Sequence, residues 1–422
     1  MNTDSPYASL KIADFRSLLA GRLLATIALQ IQSMAVGWQI YALTRDPLAL
    51  GLVGLSEALP AIGVALYAGH IADRVDRRKI ALWCLLTLVI CLGALSACSA
   101  AVHDNALLSG LIYLIIALSG IARGFQGPAV FGLTGDIVPR ELYANAAAWG
   151  SASWQASAVA GPILGGLLFL AMGASATYLI STILLVCSLV LFFRIKTRTK
   201  LTQNKEATVS ENIKEGLQFV FSNQIILGAM AMDLFAVLFG GAVALLPIFT
   251  NEIFHMGPQA LGVLRAAPSL GALLIAAYLA HRPITKDAGY IFLYSVAGFG
   301  LCMIGFGLTT NFYLALILLG LSGMLDGVSV YVRGTIYQLM TPDDMKGRVS
   351  AVNNIFIGSS NEIGEFESGV AAKLLGVVRS VVVGGTLTLL VVAVTAFKAP
   401  KLRKLDMSTL YKHPERAPSP SK

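Results

Sequence analysis

Twelve apolar runs, each long enough to cross a bilayer, constrain this chain more than anything else in it. A hydrocarbon core of ~30 Å takes about 20 residues of helix. On that measure spans fall at about 15–42, 48–72, 80–102, 108–135, 144–172, 174–196, 223–251, 258–281, 288–309, 312–341, 348–372 and 378–398. Backbone groups in lipid must be satisfied within the spanning structure, which leaves helices or closed barrels, and these runs are far longer than barrel strands. The composition agrees: 56% of the 422 residues are hydrophobic and only 13% charged. The expected fold class is an all-α membrane protein with twelve transmembrane helices in two pseudo-symmetric six-helix bundles.

Lys and Arg set the orientation. With the N-terminus in the cytoplasm, inside segments hold 24 of the 31 basic residues, including "RVDRRK", "RIKTRTK" and "KAPKLRK"; the outside loops hold only Arg45, Lys373 and Arg379. The bias of basic residues toward the cytoplasm therefore predicts a multi-pass protein of the cell inner membrane with both termini cytoplasmic. It also accounts for the formal charge of +8, so the basic clusters are read as lipid-surface loops and no nucleic-acid partner is expected. Cys84, Cys91, Cys98, Cys187 and Cys302 lie in apolar spans without metal-ligand spacing, so no metal, cofactor or disulfide framework is expected. The polar start "MNTDSPYASLKIADF" has no apolar signal core, so the first span is expected to serve as the signal.

The chain divides into similar halves. "PLALGLVGLSEALPAIGVALYAGH" (Pro47 to His70) lies without a gap on "PQALGVLRAAPSLGALLIAAYLAH" (Pro258 to His281), and "LIYLIIALSGIARG" (Leu111 to Gly124) on "LALILLGLSGMLDG" (Leu314 to Gly327). Shared Pro, Gly and His punctuation points to duplication. The expected organisation is a bundle at 1–196, a cytoplasmic linker at 197–222, a second bundle at 223–398 and a cytoplasmic tail at 399–422. In the linker, "VSENIKEGLQFVF" has the apolar spacing of a short amphipathic surface helix. The repeat also aligns Arg22 with Asp233 and Arg123 with Asp326, a cation in one half against an anion in the other.

The loop after span 2 reads "GHIADRVDRRK", Gly69 to Lys79. Twelve spans in two halves, with a Gly-x-x-x-Asp-Arg-x-x-Arg-Arg/Lys loop between spans 2 and 3, resemble the major facilitator superfamily over essentially the whole chain. The resemblance implies a cytoplasmic gate formed by Gly69, Asp73, Arg74, Arg77 and Arg78; a purely topogenic basic loop is the alternative. Asp76 stands where the family usually has Gly, which puts the tightness of the turn in question. Span 5 carries "SAVAGPILGGLL", which resembles the Gly-Pro element of drug and proton antiporters, with Gly161, Pro162, Gly165 and Gly166 at its centre. "TPDDMKGRVSAVN" after "LSGMLDGVSVYVRG" resembles the branch that includes the enterobactin exporter and macrolide efflux relatives.

Span 11 holds the least lipid-compatible stretch, "SSNEIGEFESG", Ser359 to Gly369. A carboxylate facing lipid costs roughly 2.5–3.5 kcal/mol, so Glu362, Glu365 and Glu367 are expected to face the protein interior; Glu367 points away from the face that Glu362 and Glu365 share, and reaching the outer interface is the alternative for it. Two readings stand: Glu362 or Glu365 is a protonatable coupling site, with Arg333 as a possible partner, or the cluster is a polar packing network. Asp326 and Asp233 are further coupling candidates. The candidates for a substrate cavity are Arg22, Gln30, Gln32, Glu57, Arg123, Gln126, Trp154, Gln155 and Arg333. Amides, aromatics and a few charges suit an amphiphilic aromatic ligand better than a sugar or a simple ion. Trp38 and Tyr41, near a span end, read as membrane-interface anchors.

No Gly-x-x-x-x-Gly-Lys-Ser/Thr loop occurs, so an ion gradient is the ordinary energy source left. No H-E-x-x-H or G-x-S-x-G element occurs either, and the chain is not expected to be an enzyme. The sequence reads as a secondary transporter working as a monomer, with protons, a small-molecule substrate and the lipid bilayer as its partners. It would export a siderophore or a similar amphiphile by proton-coupled alternating access. A lipid or lysolipid flippase and a non-transporting membrane sensor are the rival readings.

Overall fold

The computed structural model describes residues 5–197, 209–342 and 345–407; the side chains at 65, 66, 69, 70, 72, 73, 209–214, 347, 351, 354–359 and 362 lie outside the description. Gly69, Asp73 and Glu362 of the sequence-based sites are among these. All regular structure among the described residues is helical: α1 Ala13–Thr44, α2 Pro47–Arg74, α3 Arg77–Ala101, α4 Asn105–Ile137, α5 Tyr143–Phe193, α6 Val209–Ser222, α7 Gln224–Gly240, α8 Pro258–His281, α9 Ala288–Leu308, α10 Phe312–Met340, α11 Lys346–Leu375 and α12 Val377–Lys398, with a few shorter turns. Ten segments among the described residues are long and apolar enough to span a membrane. One of them, α5, is two spans joined at Gly173, whose φ of 76° and ψ of −178° break the helix. The helix α11 is the twelfth; its polar stretch keeps it out of the ten. The linker helix expected between the halves is α6.

Short polar residues start these helices. The side chains of Asp46, Asp76 and Asp104 accept from Leu48 N, Arg78 N and Ala106 N at 3.0, 3.0 and 2.8 Å. Asn223 and Asn311 do the same for Ile225 N and Tyr313 N at 3.1 and 2.9 Å. Each satisfies an orphan N–H of a first turn, worth about 1 kcal/mol. Asp76 needs no glycine-like backbone: its φ is −53°. The α2–α3 turn is therefore tight without the residue the family usually carries there.

The duplication recurs in the packing. A Cβ at Gly120 would run into the Glu57 carbonyl and one at Gly124 would meet Ala61, so α4 lies directly on α2; Gly323 and Gly327 of α10 repeat this on Pro268 and Ala272 of α8. These are the residues the sequence repeat equates. Gly161 of α5 approaches the Ile27 carbonyl of α1, and Gly364 of α11 approaches that of Leu238 in α7. The breaks match too, because Gly376, between α11 and α12, has a φ of 87° and stands at the repeat position of Gly173.

Contacts gather the chain into two compact units, Met1–Lys205 with Thr250–Ala266 and Glu206–Phe249 with Ala267–Lys422. In the first, Phe15, Leu18, Leu85, Leu88, Leu133 and Phe192 belong to one buried apolar cluster; in the second, Ile226, Met232, Phe292, Val332 and Ile336 belong to another. Span 7 departs from the continuous helix expected over 223–251. The helix α7 stops at Gly240, and the chain continues through a 3-10 turn, Val243–Leu245, and a π turn, Phe249–Ile253. Pro247 lacks the N–H that a continuing helix needs. The break leaves the Gly241 carbonyl unpaired along the chain, and the Ser368 hydroxyl of α11 donates to it at 2.8 Å. Non-helical backbone at membrane depth survives when protein groups satisfy it in this way.

Candidate functional site

Among the described residues each unit holds an ion pair between two of its spans and a spanning-helix charge without a polar partner. In the first unit Arg123 of α4 pairs with Glu57 of α2, across the close approach that Gly120 and Gly124 allow. In the second unit Arg333 of α10 pairs with Asp233 of α7, and both are buried, with side chains 7% and 9% exposed. Arg333 was a sequence-based candidate to partner the α11 carboxylates; its ion-pair partner is Asp233. Breaking such a buried pair from one side leaves an uncompensated charge and costs about 3–5 kcal/mol.

Arg22 and Asp326 are two such unpartnered charges among the described residues, and half-buried Glu367 of α11 is a third. Arg22, on α1, makes no hydrogen bond or ion pair among the described residues, and its guanidinium lies against Gly150 of α5, where a Cβ would come within 3.6 Å of Nη1. Asp326 lies midway along α10, about 21 Å from either end at ~1.5 Å per residue. It too has no polar partner among the described residues. Ser322, Asp326, Ser329, Arg333 and Tyr337 recur at helical spacing and make a polar stripe along one face of α10. Ser322, Ser329 and Arg333 are buried, and the Tyr337 hydroxyl is buried without a hydrogen bond among the described residues.

The stretch 359–369 on α11 divides by face. Ser360, Gly364 and Ser368 are buried at intervals of four; Gly364 packs on α7, and Ser368 caps its broken end. Small residues allow this close approach. Glu365 and Glu367 are half-buried and Asn361 exposed. Part of the polar density is therefore packing against α7.

The Gly-Pro element of α5 serves two neighbours. Gly161 and Gly165 pack on α1 at Gln30 and Ile31, while Gly166 lies on Pro258 and Gly262 of α8 lies on Pro162. Gln32 is buried, and the Oε1 atoms of Gln32 and Gln155 lack a hydrogen bond among the described residues. Gln126 is half-buried and Trp154 exposed. At the basic turn, Arg77 binds Asp136 of α4 at 3.1 and 3.2 Å. Arg78 donates to the Phe193 carbonyl at 2.7 Å, and Arg74 is exposed. These contacts tie α3 to the ends of α4 and α5 within one unit.

A second polar cluster escaped the sequence reading. Tyr41, read as an interface anchor, is only 3% exposed; its hydroxyl donates to the carboxylate of Glu252. Arg45 donates to Asn251 at 2.7 Å and sits over the Tyr41 ring at 5.5 Å. Farther along α1, Ser33 accepts from Arg265 of α8 through its carbonyl at 2.9 Å and its hydroxyl at 3.0 Å. An aromatic at a span end has the same local signature whether it meets headgroups or a partner. The polar run "TNE" at the end of span 7 was the available signal.

Lone charges and polar stripes inside long apolar helices, held by a duplicated small-residue framework, define a polytopic transporter of the major facilitator class, not an enzyme. The chain belongs to the transmembrane secretion effector family of that superfamily, whose family model matches residues 4–419. It is 27% identical over 404 residues to the enterobactin exporter EntS of Citrobacter koseri, covering 92% of this chain and 94% of the relative. In fold it resembles the nucleoside transporter NupG, with a TM-score of 0.68 at 12% identity over 91% of this chain and 99% of that one. A POT family transporter gives the same TM-score at 14% identity, over 92% and 96%.

Proposed function

We propose that the protein is a secondary active exporter that couples the outward movement of a siderophore, or a similar amphiphilic small molecule or drug, to proton entry across the cell inner membrane. Asp326 carries the reading: a carboxylate at mid-helix, on a polar stripe, with no ion pair among the described residues. It can take up and release a proton without breaking a salt bridge, whereas Asp233 would have to give up Arg333. Among the coupling candidates Asp326 therefore stands first, Glu362 and Glu365 follow, and Asp233 comes last. The stripe through Ser329, Arg333 and Tyr337 gives the proton a route to the α10–α11 turn, which the basic loops assign to the cytoplasm.

Both termini are cytoplasmic in this reading. The halves 1–196 and 223–398 expose the cavity side chains alternately to the two sides, joined by 197–222 and followed by the tail 399–422. A single chain is the working unit, and Arg74, Arg77 and Arg78 belong to the cytoplasmic gate. The likeness to enterobactin exporters supports a siderophore or a compound of comparable size as the cargo. The test is release from cells that lack their own exporters. Expression should raise the release of a catecholate siderophore and lower macrolide accumulation, and a protonophore should abolish both effects. Release that survives the protonophore overturns the coupling; no release of either compound overturns the substrate class.

A further inference from the structure

Arg22 is half-buried on α1. The guanidinium rests against the bare backbone of Gly150, and Trp154 stands one turn farther along α5 with 53% of its surface exposed. This is not a lipid-facing tryptophan. The same face of α5 carries Ala158 and Gly161 over the next two turns, both buried, and the adjoining Pro162 packs on Gly262 of α8. Arg22 likewise shares a face of α1 with Ser33, eleven residues or about three turns away, and Ser33 is covered by Arg265 of α8. The start of α8 thus packs on α1 and α5 at the level of Ser33 and Pro162, while Arg22 is half-buried and Trp154 exposed toward the N-terminal ends of the same two helices.

The carboxylates of the surrounding helices are engaged elsewhere. Glu57 is held by Arg123, Asp136 by Arg77, and Asp14 by the backbone N–H groups of Lys196 and Thr197 at 3.1 and 2.8 Å. A guanidinium at membrane depth is costly unless an anion or water accompanies it. Among the described residues no anion does. A cation beside an exposed indole can hold a planar ring bearing negative charge: the guanidinium binds the anionic group and the indole stacks on the ring.

We propose that Arg22 and Trp154 form a subsite for an aromatic anion, a ring bearing a carboxylate or phenolate, on the transported molecule. This rests on the exporter reading and adds the chemical class of its cargo. The test is equilibrium dialysis of the purified full chain in detergent, without any gradient, against 2-naphthoate, its neutral amide and cyclohexanecarboxylate. The wild type should bind the naphthoate more tightly than either comparison compound. Arg22→Gln should weaken naphthoate binding about tenfold and erase the preference for acid over amide; Arg22→Lys should keep part of that preference. Trp154→Leu should weaken binding of both naphthyl compounds roughly threefold to tenfold while the acid stays preferred. A wild type that binds the amide as well as the acid, or a folded Arg22→Gln that keeps the preference, overturns the subsite. The wild-type comparison needs no variant, so misfolding of Arg22→Gln cannot shield the proposal. Because no gradient is applied, loss of proton coupling would leave these affinities unchanged, and loss of the affinities would leave coupling intact.

Discussion

Asp233 and Arg333 depend on each other. Either one alone would be a buried charge facing α7 or α10 without its counter-ion, so Asp233→Asn or Arg333→Gln should each destabilise the purified protein by about 3–5 kcal/mol. The double variant should recover most of that loss, because two neutral amides leave no charge to solvate. Thermal unfolding in detergent measures this, and an additive double variant would contradict a closed pair. Neither this pair nor Glu57 with Arg123 was legible in the sequence. The repeat aligned Arg22 with Asp233 and Arg123 with Asp326, but alignment equates positions across halves and says nothing of contacts within one. The actual partners, Glu57 and Arg333, stand against Pro268 and Val130 in the same registers, so the repeat carried no trace of them.

At the scale of helices the sequence was more informative, because length and hydropathy leave few choices in a bilayer. The joint between spans 5 and 6 was placed at the residue that makes it, since only glycine adopts the conformation at Gly173 readily. Gly173→Ala should lower stability by about 1–3 kcal/mol, and Gly376→Ala, with a φ of 87°, should also destabilise. The end of α7 was hidden, because "GGAVALLP" is as apolar as a helix that continues; what marks the break in the structure is the Ser368 hydroxyl that donates to the Gly241 carbonyl. Close approach of α4 on α2 and of α10 on α8 gives a paired prediction. Gly120→Leu and Gly323→Leu should each cost roughly 1–3 kcal/mol by overpacking. A thermal shift from only one of them would mean that the two contacts are not equivalent.

Across the whole molecule, duplication has kept the framework and varied the charges. Glycine contacts and helix breaks recur at equivalent positions, whereas the ion pairs join different helices, α4 with α2 and α10 with α7, and the charges without a polar partner among the described residues include a cation, Arg22, in one unit and an anion, Asp326, in the other. The framework was legible because Gly and Pro leave marks that survive divergence. Which charges stand alone was not legible, because that depends on partners far apart in the chain. The division of labour we propose is a proton site in the second unit and an anion-binding subsite in the first. Its most direct test is transport in proteoliposomes holding the chain in inside-out orientation with an imposed pH gradient, comparing wild type, Asp326→Asn and Glu362→Gln, with a labelled catecholate siderophore and a macrolide as cargo. Uptake by the wild type should follow the gradient, and Asp326→Asn should lose that dependence. Gradient-independent uptake by the wild type, or an Asp326→Asn variant that still follows the gradient, would contradict the account.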